Sequence, residues 1–352
     1  MDGRLAGNVV RVGGDARQRY YDSRGYGRPL EGNEIELAPV EATHLLFRGD
    51  LDAVDGMAFR EFFAHATDAV DRFGIRFLVY ADLRSRGFYL SPARVDWVRA
   101  PGREDDFAVY ERGQGPPDGD VAYGVRVVGE RETVAAEALV AGRTDADGAA
   151  LAVVDEESEI TYLDLGRPPL DGSTAVDLPD RVPAAVLDDR VICWEPPASL
   201  YERGFFGRPL SGREGGEGEP LQLSLVEAAY LAERDAIAVP DGPSSVLERG
   251  RAVEGDRFDR RLAAYAELRG RGVVPKTGFK FGADFRTYAA VESVDSLGHS
   301  ELLVRVLPAD HAFAPRDLAL DVRLANGVRK TMVFALVGAD GIEWLSVTRL
   351  TP

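Results

Sequence analysis

Residues 21–30 read YDSRGYGRPL and residues 201–210 read YERGFFGRPL. Both open on an aromatic residue and close on Gly-Arg-Pro-Leu, with a second aromatic just before that glycine. The correspondence continues down the chain. Val40-Glu41-Ala42 answers Val226-Glu227-Ala228, and Tyr80-Ala81-Asp82-Leu83-Arg84 answers Tyr265-Ala266-Glu267-Leu268-Arg269. Asp106-Phe107-Ala108-Val109-Tyr110 answers Asp284-Phe285-Arg286-Thr287-Tyr288. The four offsets are 180, 186, 185 and 178. Offsets this steady across most of each half point to an internal duplication rather than chance.

The halves are joined by Gly166-Arg167-Pro168-Pro169-Leu170-Asp171-Gly172-Ser173-Thr174, which has linker composition. The boundary is expected near residue 175, giving a first repeat over 1–175 and a second over 176–352. Each half shows the same order of patterns. After a short strand region, helical periodicity covers 39–49, 57–72 and 76–86 in the first half, and 222–235, 243–250 and 257–271 in the second. Strand patterns follow at 105–111 and 121–129, and at 277–290 and 300–307. A helix is expected at 131–142 and at 315–327, then closing strand pairs at 149–155 with 159–165 and 331–337 with 342–349. The fold class is therefore α+β: two tandem homologous repeats, each with a helical and strand N-terminal lobe and a mixed-sheet C-terminal lobe.

Composition narrows the function classes. The 352 residues include 45% hydrophobic residues, enough for two cores, and no apolar run reaches the length of a membrane span. The N-terminus lacks a charged-then-apolar leader pattern, so a soluble cytoplasmic protein is expected. The single cysteine, Cys193, can form no intrachain disulfide and is read as a small buried hydrophobe between Ile192 and Trp194. No compact Asp/Glu/His cluster has ligand spacing, so neither metal nor cofactor is expected. The net charge of -17 opposes a nucleic-acid partner at first sight. But the acidity is spread along the chain, and lysine is confined to Lys276, Lys280 and Lys330. This acid-rich, arginine-for-lysine style resembles halophilic archaeal proteins. At molar salt the Debye length shrinks to about 3 Å, and local contacts then decide binding.

The repeats differ where chemistry would sit. The second has Tyr288, then Gly298-His299-Ser300 at the mouth of a strand, then Val328-Arg329-Lys330-Thr331 after its last helix. The first keeps Tyr110 but has Pro116-Pro117-Asp118-Gly119-Asp120 and Arg143-Thr144-Asp145-Ala146-Asp147 at the other two places, with neither histidine nor lysine. The chemical candidates are thus in the second half. Of the other histidines, His44 and His65 fall in helical patterns and read as structural, and His311 lies in a polar loop. Taken singly, Tyr288 reads as a half-buried strand tyrosine and Lys330 as a surface lysine; together they make a phenol, an imidazole and an ammonium. In one site such a trio can serve as a base, an acid and a cation. A phenol with ordinary pKa near 10 needs a neighbouring cation to serve as that base.

Pro275-Lys276-Thr277-Gly278-Phe279-Lys280-Phe281-Gly282-Ala283-Asp284-Phe285-Arg286-Thr287-Tyr288 resembles the archaeal tRNA-intron splicing endonuclease family, whose pattern there is close to KTGxKYGxDFRxY. His299-Ser300 leading into Leu303-Val304 matches the family's H-S-x-x-L-V strand, and Arg323 to Lys330 matches its R-x-A-x-x-V-R-K helix end. Phe281 departs from the commoner tyrosine but keeps the aromatic body. The layout resembles the fused two-repeat, homodimeric branch. The resemblance implies a nuclease-like C-terminal lobe and metal-independent cleavage of precursor tRNA at bulge-helix-bulge intron junctions, leaving 2′,3′-cyclic phosphate and 5′-hydroxyl ends. It makes Tyr288 the general base, His299 the general acid and Lys330 the cation. It casts Arg323 and Arg349 as the pair stacking on a bulge base, for which surface arginines remain the alternative. It also gives the acidic turn of Asp155, Glu156, Glu157 and Glu159 a docking role in a homodimer, for which a solvated hairpin tip is the alternative. The rival from another class is a non-catalytic RNA-binding or structural protein.

Overall fold

The computed structural model describes residues 1–94, 97, 105–116, 119, 121–141, 148–212 and 218–352. The first repeat's 116–120 segment lies partly, and its 143–147 segment wholly, outside the described residues. The chain divides into two compact units: Met1–Gly166 with Ala312–Leu320 and Val347–Pro352, and Arg167–His311 with Asp321–Ser346.

The first unit begins with five short strands, β1 (Asp2–Ala6), β2 (Val9–Val12), β3 (Arg28–Pro29), β4 (Ile35–Leu37) and β5 (Ala53–Val54). Helices α1 (Pro39–Phe47), α2 (Phe59–Ala69) and α3 (Phe73–Ser85) belong to the same lobe. Then come β6 (Leu90–Pro92), β7 (Phe107–Tyr110), β8 (Val121–Gly129), β9 (Val134–Ala135), α4 (Ala136–Ala141), β10 (Gly148–Val154) and β11 (Ile160–Gly166). The second unit repeats the plan with β12 (Val182–Val186), β13 (Arg190–Cys193), α5 (Ala198–Glu202), β14 (Arg208–Pro209), β15 (Leu221–Ser224), α6 (Leu225–Ala232), β16 (Ile237–Ala238), α7 (Pro243–Glu254) and α8 (Arg257–Gly270). It goes on with β17 (Val274–Thr277), β18 (Phe285–Tyr288) and β19 (Leu302–Pro308). The remaining elements are β20 (Ala312–Phe313), α9 (Pro315–Gly327), β21 (Thr331–Gly338) and β22 (Gly341–Arg349).

The small sheets run β3-β4-β2-β1-β5 and β14-β15-β13-β12-β16, which is one order used twice. The larger arrays run β6-β7-β8-β10-β11 in the first unit and β17-β18-β19-β21-β22 in the second, again the same order. In each, one parallel pair sits among antiparallel neighbours: β8 with β10, and β19 with β21. Among the described residues no helix is long and apolar enough to cross a membrane.

The glycine in the duplicated opening motif has a physical reason. Gly27 and Gly207 both have positive φ, +71° and +61°. A Cβ would come within 2.3 Å of the Glu36 carbonyl oxygen at the first and 2.6 Å of the Gln222 carbonyl oxygen at the second. Only glycine meets both demands. The freed amides are used alike: Gly27 N–H donates to Glu41 Oε1 at 2.7 Å and Gly207 N–H to Glu227 Oε1 at 3.0 Å. The other carboxylate oxygen accepts from the N-cap amide, Ala38 at 2.8 Å and Ser224 at 3.0 Å. In α6 the Ser224 hydroxyl returns the bond from Glu227 N–H, completing a capping box. A second matched device ties each helical lobe to its sheet. Asp106 accepts from Val127 N–H at 2.7 Å and pairs with Arg72 and Arg76; Asp284 accepts from Val306 N–H at 2.8 Å and pairs with Arg257 and Arg261.

Helix α8 buries Phe258, Leu262, Tyr265 and Leu268, an i, i+4, i+7 stripe with one further residue, against the sheet strands β17, β19 and β21. Trp344 of β22 adds to that core, and its indole N–H donates to Glu267 at 2.9 Å. Cys193 is buried on β13, and burial pushes its thiol up to about 12. His44 is buried on α1, bonded through Nδ1 to the Tyr26 hydroxyl at 2.9 Å; burial, then Arg84 and Arg48, lowers it to about 4. His65 is exposed on α2.

Three expectations need correction. The strand pattern over 277–290 is two strands, because Gly278, the 3-10 turn Phe279–Phe281 and Gly282 at φ +70° reverse the chain between β17 and β18. The helix expected at 131–142 starts at Ala136, since Val134–Ala135 pairs as β9 with β20. The helix expected from 222 starts at Leu225, since Leu221–Ser224 is committed to β15 and pairs with β13.

Candidate active site

Three strand ends meet in the second unit. β18 runs antiparallel to β19, and β19 runs parallel to β21. The exit of β18 therefore abuts the entrances of β19 and β21. Two backbone bonds fix this edge: Glu301 N–H to the Thr287 carbonyl and Thr331 N–H to the Glu301 carbonyl, both 3.1 Å. Adjacent strands lie about 4.8 Å apart. Tyr288 is the last residue of β18, Lys330 immediately precedes β21, and His299 stands three residues before β19.

Each side chain is held differently. Tyr288 is buried, with its ring edge-on to Phe205 at 5.7 Å between centroids. His299 is exposed, on the extended segment after the Val294–Ser296 turn, and the next residue, Ser300, is buried. The Lys330 ammonium donates to the Ser300 carbonyl, which tethers the lysine to the residue beside His299. Its Nζ lies 5.8 Å from the Phe281 ring centroid.

The local fold aims Lys330. Helix α9 stops at Gly327, Arg329 turns left-handed at φ +57°, and Lys330 N–H closes on the Ala325 carbonyl at 2.9 Å. A non-glycine residue at positive φ costs about 1 kcal/mol or more, and such strain clusters at functional positions. Arg323 is an exposed residue of α9, whereas Lys330 lies past the helix end. Arg349 is exposed at the end of β22, in the part of the chain that belongs to the first unit.

The site is rich in positive charge. Burial lowers the Lys330 ammonium below its ordinary value, and the charge of Arg286 lowers it further. Arg286 stands two residues before Tyr288, and its guanidinium carbon lies 5.9 Å from the Tyr288 ring centroid. Directly across the β17–β18 pair from Arg286 is Lys276. That lysine is fully engaged: it donates to Glu227 at 2.6 Å, the Phe205 carbonyl at 3.1 Å and the Gly207 carbonyl at 3.2 Å. Sequence reasoning flagged Lys276 for its rarity but missed Arg286 and Phe205. Strand alternation from Tyr288 carried the signal for Arg286, since residues i and i+2 share a face. Nothing local signals Phe205, which comes from a distant loop. His311, in its polar loop, is lowered by burial and by Arg305.

The acidic turn of the first unit joins β10 to β11. Asp155 Oδ1 accepts from Glu157 N–H at 2.9 Å and Glu159 N–H at 2.8 Å, so it builds the turn. Glu156 pairs with Arg131. Glu156, Glu157 and Glu159 are exposed.

Residues 258–344 match the family profile described as tRNA intron endonuclease, catalytic C-terminal domain. That span contains Tyr288, His299, Arg323 and Lys330. Residues 1–63 and 182–249 each match the profile for the tRNA intron endonuclease N-terminal domain. The chain is 59% identical to the tRNA-splicing endonuclease of Haloarcula marismortui and 57% identical to that of Halobacterium salinarum, with all of each chain covered. It is 35% identical to the tRNA-splicing endonuclease of Methanococcoides burtonii over 99% of both. The haloarchaeal relatives agree with the setting that the acid-rich, lysine-poor composition suggested.

Proposed function

Because the chain belongs to the tRNA intron endonuclease family, and is thereby an endoribonuclease of tRNA splicing, we propose that the meeting of β18, β19 and β21 forms a metal-independent active site cutting precursor tRNA at bulge-helix-bulge junctions. The observation that carries this reading is the abutment of three strand ends bearing a phenol, an imidazole and an ammonium.

The chemistry balances without an outside nucleophile. Tyr288 takes the proton of the 2′-hydroxyl as its oxygen attacks the adjacent phosphorus. The P–O5′ bond breaks opposite the incoming oxygen, and His299 gives its proton to the departing 5′-oxygen. Lys330 faces the negative charge that grows on the phosphorane oxygens, where a preplaced cation is most effective. The products are a 2′,3′-cyclic phosphate and a 5′-hydroxyl. Arg323 and Arg349 would stack on a bulge base, a contact that keeps its charge at any working pH.

A bulge-helix-bulge RNA incubated with the protein and excess EDTA tests this directly. Cleavage with cyclic-phosphate ends is expected. Loss of cutting on chelation, restored by added divalent metal, would replace this mechanism with metal-assisted hydrolysis.

The repeated strand orders, the matched Gly27/Gly207 and Asp106/Asp284 devices and the twofold N-terminal profile match support a tandem duplication. In it the first repeat, 1–175, is a non-catalytic partner of the catalytic repeat, 176–352. The acidic turn 155–159 is then a docking element of a homodimer. Replacing Glu156 and Glu157 together by glutamine removes charge while Asp155 keeps the turn. The mass by light scattering should fall toward that of one chain, and an unchanged mass counts against docking. Location in the cytoplasm fits a precursor-tRNA substrate.

A further inference from the structure

We infer that Arg286 is a further catalytic residue of this site, forming with Lys330 a two-cation cradle that grips the scissile phosphate beside Tyr288. The inference rests on the reading of that site given above.

Four observations support it. The guanidinium is on the strand that ends in Tyr288, and strand alternation puts residues 286 and 288 on one face. Its carbon is 5.9 Å from the Tyr288 ring centroid. Its Nε is buried with no hydrogen-bond partner among the described residues. And its charge reaches Lys330 strongly enough to depress that ammonium.

The charge pattern of the chain bears on this arrangement. Asp and Glu number 59 against 42 Lys and Arg, so carboxylates are in surplus. Three nearby cations are paired with carboxylates, Lys276 with Glu227 and Arg257 and Arg261 with Asp284, whereas Arg269 rests on the Tyr265 hydroxyl and the Gly204 carbonyl. Arg286 and Lys330 have no carboxylate partner among the described residues; Lys330 rests on a neutral carbonyl. A buried guanidinium nitrogen without an acceptor costs free energy, typically 1–3 kcal/mol for an unmet buried donor and more for a charged one. Two like charges held close add repulsion. An anion arriving between them, at the Nη atoms and the ammonium, offsets that repulsion.

The scissile phosphate is that kind of anion. It carries one negative charge in the substrate and approaches two in the phosphorane. A guanidinium presents paired N–H groups suited to phosphate oxygens, whereas an ammonium acts as a point charge. Arg286 therefore holds the transition state more tightly than the substrate, which raises kcat rather than only lowering KM. Nη atoms give the phosphate contact while the stem stays packed on Tyr288, so one side chain both binds the anion and keeps its positive charge near the phenol.

The test uses the full chain and a bulge-helix-bulge RNA, with single-turnover rates and KM for wild type, Arg286→Gln and Arg286→Lys. Thermal melts of all three check the fold. Arg286→Gln is expected to cut kcat by about a hundredfold with KM within threefold. Arg286→Lys should recover at least tenfold of that loss, because charge is restored. Cleavage by Arg286→Gln within threefold of wild type overturns the inference while leaving the site reading intact. Equal loss in both variants with wild-type melting also overturns it, since shape and not charge would then matter. If wild type itself fails to cut the RNA, the site reading fails first. Should Arg286→Gln melt early, its inhibition by inorganic phosphate at a temperature well below its melt decides: at least tenfold weaker inhibition than of wild type supports the cradle, and inhibition at the same phosphate concentrations sinks it.

Discussion

Replacing His299 by alanine is expected to slow cleavage by at least about a hundredfold, the usual scale for loss of a general acid. The reason lies in the leaving group. A 5′-alkoxide is a poor leaving group unless it is protonated as the P–O bond breaks, and an imidazole is the side chain suited to that near neutral pH. His299 is exposed at the edge where Tyr288 and Lys330 converge, so an RNA strand laid there can reach it. It makes little of the core: the buried residue of the segment is its neighbour Ser300. The substitution should therefore leave melting and RNA binding nearly unchanged. Single-turnover cleavage together with gel-shift titration separates the two effects. A rate within a few-fold of wild type removes His299 from the mechanism.

The second large effect concerns stability. Lys276→Met is expected to destabilise the second unit by about 3–5 kcal/mol at pH 7, the scale for stripping one partner from a buried ion pair. Glu227 would remain in the interior with backbone amides and the Ser224 hydroxyl but no cation. Burial by itself would raise its carboxyl; Lys276, with the Ser224 and Gly207 amides, reverses that and holds it at about 2. A depressed folded-state pKa gives stability that is present above the ordinary glutamate value, near 4.3, and is lost as pH falls through the folded value. Wild type should thus hold its stability down to about pH 4 and lose this contribution between there and pH 2. In the variant the carboxyl titrates at higher pH, so protonation relieves the unpaired charge and the gap to wild type narrows between pH 7 and pH 4. Denaturant titrations at the two pH values read this out. A gap under about 1 kcal/mol at pH 7 would mean that the pair adds nothing net, as some buried pairs do.

The same position shows how the two halves differ. Glu41 holds the equivalent amides in the first unit but is hydrogen-bonded to no lysine, and burial pushes it up to about 7. Lysine opposite the glutamate is thus a feature of the half that carries the candidate chemistry.

Much of this was legible in the sequence. The matched plan of the two halves could be read from YDSRGYGRPL and YERGFFGRPL because the glycine in each is required by backbone geometry, and no other residue fits. Long amphipathic helices such as α8 declare themselves through a buried stripe that any packing partner would demand. The three chemical residues stood out because the second half has them and the first does not. Less legible were places where local pattern and pairing disagree. The aromatic-rich stretch through 277–290 looks like one strand, yet two glycines fold it back on itself. Val134–Ala135 reads as helix but is claimed by a strand from far along the chain.

What the sequence determined alone is the order of patterns in each half and the candidate phenol, imidazole and ammonium, since those depend on residue type and order. Only the tertiary structure decided that β18 runs against β19 and β21 runs with it, so that three distant segments end at one edge. It also decided which cations are spent on carboxylates and which are not. Strand direction and charge pairing are set by contacts between residues far apart in the chain, and a linear pattern carries no record of them.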